Sequence, residues 1–108
     1  MADVIREWQC SNGKKLLFVW DENKNEINKE VHGVSFERAM AVFCDSRARK
    51  IYDPAHSTRQ EKRFYWIGEL DGSILTVRFT RRDEKLRIIG AGFWREGYER
   101  YYLGRDRL

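Results

Sequence analysis

Residues 63–91 read RFYWIGELDGSILTVRFTRRDEKLRIIGA, and this stretch decides the fold. Apolar and polar side chains alternate along it in three runs, which is typical of strands that bury one face. The runs cover residues 63–70, 73–80 and 85–91. Asp71-Gly72 joins the first two runs and is a strong hairpin signal, and a short turn at 82–84 joins the last two. The stretch therefore predicts a three-stranded antiparallel meander.

Two short helices are predicted upstream of the meander. Asp21 is a suitable N-cap for the first helix, Gly33 is a suitable C-terminal stop, and Ser35 is a suitable N-cap for the second. The residues at helical spacing are Lys24, Ile27 and Val31 in the first helix, and Phe36, Ala39, Met40 and Phe43, which mark one apolar face, in the second. We expect the two helices to pack against the sheet as a hairpin.

The N-terminal segment leaves two alternatives open. Asn12-Gly13 between apolar runs indicates a β-hairpin, because both residues tolerate positive φ. Alternatively, residues 1–15 form a loose extension before a single strand at 16–20. A short strand at 50–52 and a short C-terminal helix at 93–103 complete the predicted fold. This is an α+β fold with two N-terminal helices packed on an antiparallel sheet.

Composition indicates one domain, residues 1–108, with one core. The net charge is +4, and the basic residues of the C-terminal third are almost all arginines, which favours a polyanionic partner such as RNA. No apolar run is long enough to span a membrane and no secretory signal is visible, so we predict a cytoplasmic protein with no membrane partner. In that compartment, Cys10 and Cys44 are expected to be free thiols, buried or half-buried, rather than a disulfide or metal ligands.

Strand alternation gathers polar side chains on one face of the meander. These residues are Arg63, Tyr65, Arg78, Thr80 and Arg87, with no acid from the strand interiors. Arginine binds phosphate through a planar fork, so the face is predicted to bind RNA. RNA carries its own nucleophile, the 2′-OH, and its cleavage requires a proton acceptor and fixed cations. We therefore predict neither a metal nor a cofactor.

The proton acceptor has to come from a side chain other than arginine, which stays charged. His32 and His56 are the only histidines, and the imidazole titrates in the useful pH range. Either histidine alternatively serves as a helix cap or a hydrogen-bond anchor. His56 is predicted to be catalytic, whereas His32 and Lys24 are predicted to contact RNA.

Several motifs, in order, resemble the BrnT family of toxins. They are Trp20-Asp21-Glu22-Asn23-Lys24, Asn28-Lys29, His32-Gly33-Val34-Ser35-Phe36-Glu37, Asp53-Pro54, His56-Ser57, Glu61-Lys62-Arg63, Ile67-Gly68, Thr80-Arg81 and Arg87-Ile88-Ile89. The resemblance extends from about Phe18 to Tyr102.

The resemblance implies a RelE-like fold and a metal-independent endoribonuclease that inhibits translation. It also implies a cognate ribbon-helix-helix antitoxin, forming a heterotetramer that contacts operator DNA only through the antitoxin. The family's basic site residues correspond here to Arg63, Arg81 and Arg87, with weaker support for Thr80 and Arg95.

Two segments depart from the family pattern. Residues up to about Lys15 exceed the usual start of the family, and they are an added hairpin, a partner-binding arm or a misassigned start. Many relatives carry a Ser-Ala-Arg-like segment after the last strand, where this chain has Gly90-Ala91-Gly92. An arginine is thereby lost, and Trp94-Arg95 is a candidate replacement. This second departure keeps open an alternative function, a non-catalytic RNA-binding or protein-interaction module.

Overall fold

The computed structural model describes residues 3–103, so the two residues before this range and the five after it lie outside the description. The elements in order are β1 (Asp3–Gln9), β2 (Lys15–Asp21), α1 (Glu22–His32), α2 (Phe36–Ala39), a 3-10 turn (Met40–Cys44), β3 (Arg49–Tyr52), a second 3-10 turn (Pro54–His56), β4 (Arg63–Leu70), β5 (Ser73–Arg82), β6 (Lys85–Gly92) and α3 (Arg95–Leu103). The six strands form one sheet in the order β1-β2-β6-β5-β4-β3.

The sheet is mixed, which corrects the predicted antiparallel arrangement. The β4–β5–β6 meander is present as predicted, but β2 pairs in parallel with β6, through Phe18–Leu86 and Val19–Arg87. Parallel neighbours require a long connection, and the helices together with most of the meander supply it here. The helices also follow a strand hairpin and do not begin the chain.

The N-terminal segment is the predicted hairpin rather than a loose extension. β1 and β2 pair along their whole lengths, from Asp3–Asp21 to Gln9–Lys15. Gly13 has φ +91 in the turn, a conformation that L side chains rarely adopt. The Gly13 N–H donates to the Cys10 carbonyl, which closes the turn.

The inward face of α1 differs from the apolar spacing in the sequence. Ile27 and Val31 are 59% and 65% exposed, whereas Asn25 and Asn28 are buried. The Asn28 amide donates to the carbonyls of Val34 and Ala91 and accepts from the Ala91 N–H, and Asn25 accepts from the Phe36 N–H. These amides satisfy backbone groups at the helix–sheet junction, which an apolar side chain cannot do. The predicted caps at Asp21, Gly33 and Ser35 are all confirmed.

The main core lies between the helices and one face of the sheet. The predicted apolar face of the second helix is confirmed, because Phe36, Ala39, Met40 and Phe43 are all buried. The helix tightens to 3-10 geometry from Met40. The sheet residues packed beneath it are Leu75, Val77, Phe79, Leu86, Ile88 and Ala91.

A Cys10–Cys44 disulfide replaces the predicted free thiols. Cys10 directly follows β1, and Cys44 ends the first 3-10 turn. Their Cα atoms are 5.6 Å apart. This separation lies within the range for a disulfide, so packing of the hairpin against the turn brings the two thiols together. The sequence contained no sign of this pairing, because 34 positions separate the cysteines.

The opposite face of the sheet is partly covered by α3. Tyr101 is buried against Ile67 and Ile74, and its hydroxyl donates to Asp45 Oδ2 at 2.6 Å. Within residues 3–103, no helix is long and apolar enough to cross a membrane.

Candidate functional site

The polar face of the sheet is arranged in rows by the strand register. Arg63 pairs with Thr80, and Thr80 pairs with Arg87, so these residues form a first row across β4, β5 and β6. Tyr65, Arg78 and Gly90 form the second row. The two rows are two residues apart on β4 and β5, roughly 7 Å, and three residues apart on β6, where a bulge interrupts the register. The structure therefore places the five residues of the predicted polar face next to one another.

Two carboxylates contact the arginines of the first row. Glu61 Oε2 lies 2.9 Å from Arg63 Nη2, and its other oxygen contacts Arg82. Asp3 Oδ2 lies 2.5 Å from Arg87 Nη2. The hydrogen bond from Arg82, together with that from Arg63, outweighs partial burial and lowers the pKa of Glu61. The hydrogen bond from Arg87 likewise lowers the pKa of Asp3. The acids thus come from outside the meander, where strand alternation could not reveal them.

Thr80 occupies the centre of the first row but presents no exposed hydroxyl. Its side chain is completely buried. Its Oγ1 donates a 2.7 Å hydrogen bond to the Lys62 carbonyl. Thr80 therefore fixes the start of β4, and the accessible groups of the first row are the guanidinium groups on either side.

Arg78 is the least neutralised arginine of the polar face. A Cβ atom on Gly90 would lie 2.7 Å from Arg78 Nη2, so the guanidinium lies directly over the glycine. Within residues 3–103 Arg78 forms no ion pair, and its buried Nε has no hydrogen-bond partner. Its neighbour in the row is Tyr65, and burial, reinforced by Asp53, raises the pKa of the Tyr65 hydroxyl. The arrangement leaves donors on Arg78 available to an anion.

A carboxylate–imidazole pair stands beside the start of β4. His56 Nδ1 lies 2.7 Å from Asp53 Oδ2, with Asp53 buried and His56 exposed. The Asp53 N–H donates to the Arg63 carbonyl, and the Ser57 hydroxyl accepts from the Arg63 N–H. Burial alone would raise the pKa of Asp53, but hydrogen bonds from His56 and Tyr65 outweigh it and lower that pKa. The pair is therefore anchored to the polar face through β4.

A cavity of about 570 Å³ opens between the second row and α3. The sheet side contributes Asp53, Tyr65, Thr76 and Arg78, and the α3 side contributes Trp94, Glu96 and Arg100. A Cβ atom on Gly97 would lie 1.9 Å from Thr76 Oγ1, so only glycine allows α3 to approach the sheet this closely. Gly97 therefore allows α3 to lie at the cavity.

Four predicted site residues lie away from this face or at its margin. Arg81 pairs with Leu86 and projects on the helix-covered side of the sheet. The Arg95 side chain is 90% exposed and pairs with Glu99 at 3.4 Å. His32 contacts Trp94 edge-on, with ring centroids 5.1 Å apart. Lys24 is exposed on α1.

The Gly90-Ala91-Gly92 segment has a local structural explanation. A Cβ atom on Gly92 would lie 2.6 Å from the Trp94 ring, which occupies that space. The segment therefore accommodates Arg78 over one glycine and Trp94 over the other. Arg95 points to solvent, so the cation near this segment is Arg78.

Asp53 is the main residue of the candidate site that alternation missed, although Asp53 and His56 stand three positions apart in a proline-containing loop, a spacing that suits such a pair. Among residues 3–103, no group of three or more histidine, cysteine, aspartate or glutamate side chains is arranged to hold a metal ion.

Residues 20–96 match the family model described as the ribonuclease toxin BrnT of type II toxin–antitoxin systems. No curated protein matches the chain. The match covers the helices, the meander and the start of α3, and it leaves β1 and most of β2 outside.

Proposed function

The chain belongs to the BrnT family of ribonuclease toxins of type II toxin–antitoxin systems, and we propose that it cuts RNA on the polar face of its sheet without a metal ion. The observation that carries this proposal is Arg78, a cation with no ion-pair partner within residues 3–103, beside Tyr65 and a 570 Å³ cavity. A fixed arginine is suited to the charge that develops on phosphate during cleavage.

The proposed nucleophile is the 2′-OH of the substrate. With the Nδ1–H of His56 donating to Asp53, Nε2 is free to accept the proton of the 2′-OH. The 2′-oxygen attacks phosphorus and forms a 2′,3′-cyclic phosphate, while the bond between phosphorus and the 5′-oxygen breaks. The leaving 5′-oxygen takes a proton from water. No metal is needed, because the nucleophile belongs to the RNA and the counter-charge to arginine.

The remaining arginines of the face bind flanking phosphates in this proposal. Arg63 and Arg87 are oriented by Glu61 and Asp3, so each guanidinium is presented in a defined direction. Tyr65 offers a ring for a base. Cleavage of cellular RNA in the cytoplasm would inhibit translation.

We also propose a ribbon-helix-helix antitoxin that forms a heterotetramer with the toxin and makes the contacts to operator DNA. Exposed Ile27 and Val31 lie one turn apart on α1, and the end of that helix contacts Trp94 through His32. An apolar strip of this kind suits a partner protein.

The test is a cleavage assay on cellular RNA with antitoxin-free protein, with and without EDTA. We expect the parent protein to cut RNA in both conditions. The control variant Arg47→Ala, which removes an exposed cation outside the polar face, should do the same. Arg78→Ala should be inactive, and Arg78→Lys should recover little, because lysine lacks the fork. Circular dichroism must show that the variants are folded.

Two results would count against the proposal. Loss of cleavage in EDTA that returns with added metal would refute metal independence. A folded parent protein that binds RNA but never cuts it, on ribosomes or off them, would favour the alternative of a non-catalytic binding module.

A further inference from the structure

A basic groove lies on the side of the sheet opposite the polar face. It has a volume of about 510 Å³ and is bounded by Phe43 of the first 3-10 turn, by the turn of the N-terminal hairpin and by β3. The helices stop short of this part of the sheet, so the strand ends beyond them remain open. The resemblance assigns one residue of this surface, Arg81, to the family's basic site, and the proposed cleavage site uses none of it.

The groove is unusual in its charge. Of the residues between 3 and 103, four cations line it, Lys14, Lys50, Lys62 and Arg81, and no carboxylate does. In the part of the chain from 3 to 103, none of the four forms an ion pair, whereas Arg38, Arg63, Arg82, Arg87 and Arg100 all do. A solvated face ordinarily mixes the two signs. Uncompensated cations around a concavity attract a polyanion.

The floor of the groove is aromatic. Phe64 and Trp66 are partly exposed, and each stacks on a buried ring: Phe64 on Phe79 with centroids 5.7 Å apart, and Trp66 on Phe43 at 5.0 Å. The Lys50 ammonium lies 4.5 Å from the Phe64 ring centroid. Cations beside aromatic rings are the combination that holds single-stranded nucleic acid, with phosphates on the charges and bases on the rings.

The groove and the polar face meet at the same end of the sheet. Lys62 immediately precedes Arg63, and Arg81 immediately follows Thr80. Successive side chains of a strand point to opposite faces, so each neighbouring pair straddles the sheet. One strand of RNA can therefore pass from the first row around this end into the groove.

We propose that the groove binds the single-stranded RNA that flanks the cleaved bond. The choice of RNA as the polyanion rests on the proposed function, but the groove itself does not depend on cleavage. RNA is favoured over an acidic protein segment because a single strand can use both faces, and because the cations surround stacked rings rather than an aliphatic cleft.

The test measures binding without catalysis. The probes are 2′-O-methyl oligonucleotides of about 4 and about 16 nucleotides, which lack the nucleophile. The groove variant is Lys50→Ala/Lys62→Ala. The matched control is Arg6→Ala/Arg47→Ala, which also removes two exposed cations that form no ion pair within residues 3–103.

For the long probe, the groove variant should bind more weakly, and the slope of log K against log salt should be shallower by about 1.4, which corresponds to two lost phosphate contacts. The short probe, held on the polar face, should bind equally to all three proteins. The control should match the parent with both probes.

Equal losses in the groove and control variants, or none in either, would overturn the proposal. Weaker binding of a purified antitoxin with unchanged RNA binding would assign the groove to the protein partner and would also overturn it. Arg78→Ala, tested in parallel for cleavage, reports on the proposed function separately, because the binding probes cannot be cut.

Discussion

The polar face and the basic groove lie back to back at one end of the sheet, and they hold their cations differently. On the polar face, Arg63 and Arg87 are tied to carboxylates and Arg78 lies against Gly90. In the groove, Lys62 and Arg81 have no carboxylate partner within residues 3–103.

The difference indicates a division of tasks. An exposed ion pair contributes little to stability, so the pairs on the polar face matter mainly for orientation. Oriented donors stabilise a particular charge distribution, whereas unpaired cations attract any polyanion. We therefore expect changes on the polar face to alter the rate of cleavage, and changes in the groove to alter affinity.

The largest expected effect follows removal of Arg78, the polar-face arginine that forms no ion pair within residues 3–103. Arg78→Ala should lower kcat by about 100- to 1,000-fold, as when a fixed oxyanion donor is lost. Single-turnover cleavage at saturating protein measures this. Lys62→Ala serves as the comparison from the groove, and a similar fall in kcat for both variants would erase the proposed division.

The next largest effect concerns the disulfide, which holds the hairpin turn carrying Lys14 against the 3-10 turn that bounds the groove. Reduction should destabilise the fold by roughly 2–4 kcal/mol, because the unfolded chain regains the freedom of a long closed loop. The Tm should fall by on the order of 10 °C. Scanning calorimetry with and without reductant tests this, and Cys10→Ser/Cys44→Ser should be insensitive to reductant.

A smaller effect, at Glu61, distinguishes the orientation of the arginines from the electrostatic attraction of RNA. Glu61→Gln should lower kcat about tenfold, because Arg63 and Arg82 lose their shared partner, while RNA affinity rises slightly with the lost negative charge. Glu30→Gln makes the same charge change at an exposed position of α1 and should leave kcat unchanged. An unchanged kcat in Glu61→Gln would mean that the ion pair does not orient the site.

The smallest effect is the pH dependence of stability that comes from Glu61. Its pKa is lower in the folded chain than the ordinary value of 4.5, so its contribution is complete above that value and disappears as the pH falls through the folded pKa. Parent protein should therefore lose a few degrees of Tm more than Glu61→Gln between about pH 5 and pH 3. Parallel Tm curves over that interval would contradict the expectation.

Local patterns were sufficient for the local parts of the fold. Turn chemistry predicted the Asp71-Gly72 hairpin, and the caps at Asp21 and Ser35 predicted where the helices begin. The parallel β2–β6 pairing and the disulfide join distant segments, for which the sequence contains no local signal. The sequence also could not predict the buried face of α1, because Asn28 hydrogen-bonds to the backbone of Ala91, 63 positions away.

The candidate site was predicted only as a surface. Alternation correctly placed Arg63, Arg78 and Arg87 on one face. A bulge between Arg78 and Phe79 shifts the register of β6, so Gly90 faces Arg78. Which arginine remains unpaired depends on this irregularity and on Glu61 and Asp3, which lie outside the three strands.

The parallel pairing of β2 with β6 also determines when the sheet is completed during synthesis of the chain. β2 ends at Asp21 and β6 begins at Lys85, so the N-terminal hairpin must wait roughly ten seconds of translation for its neighbour. The row formed by Arg63, Thr80 and Arg87 is complete only when that last strand has been made. A nascent chain that has not yet reached β6 therefore carries no assembled cleavage face, which delays the proposed nuclease until that strand has been made.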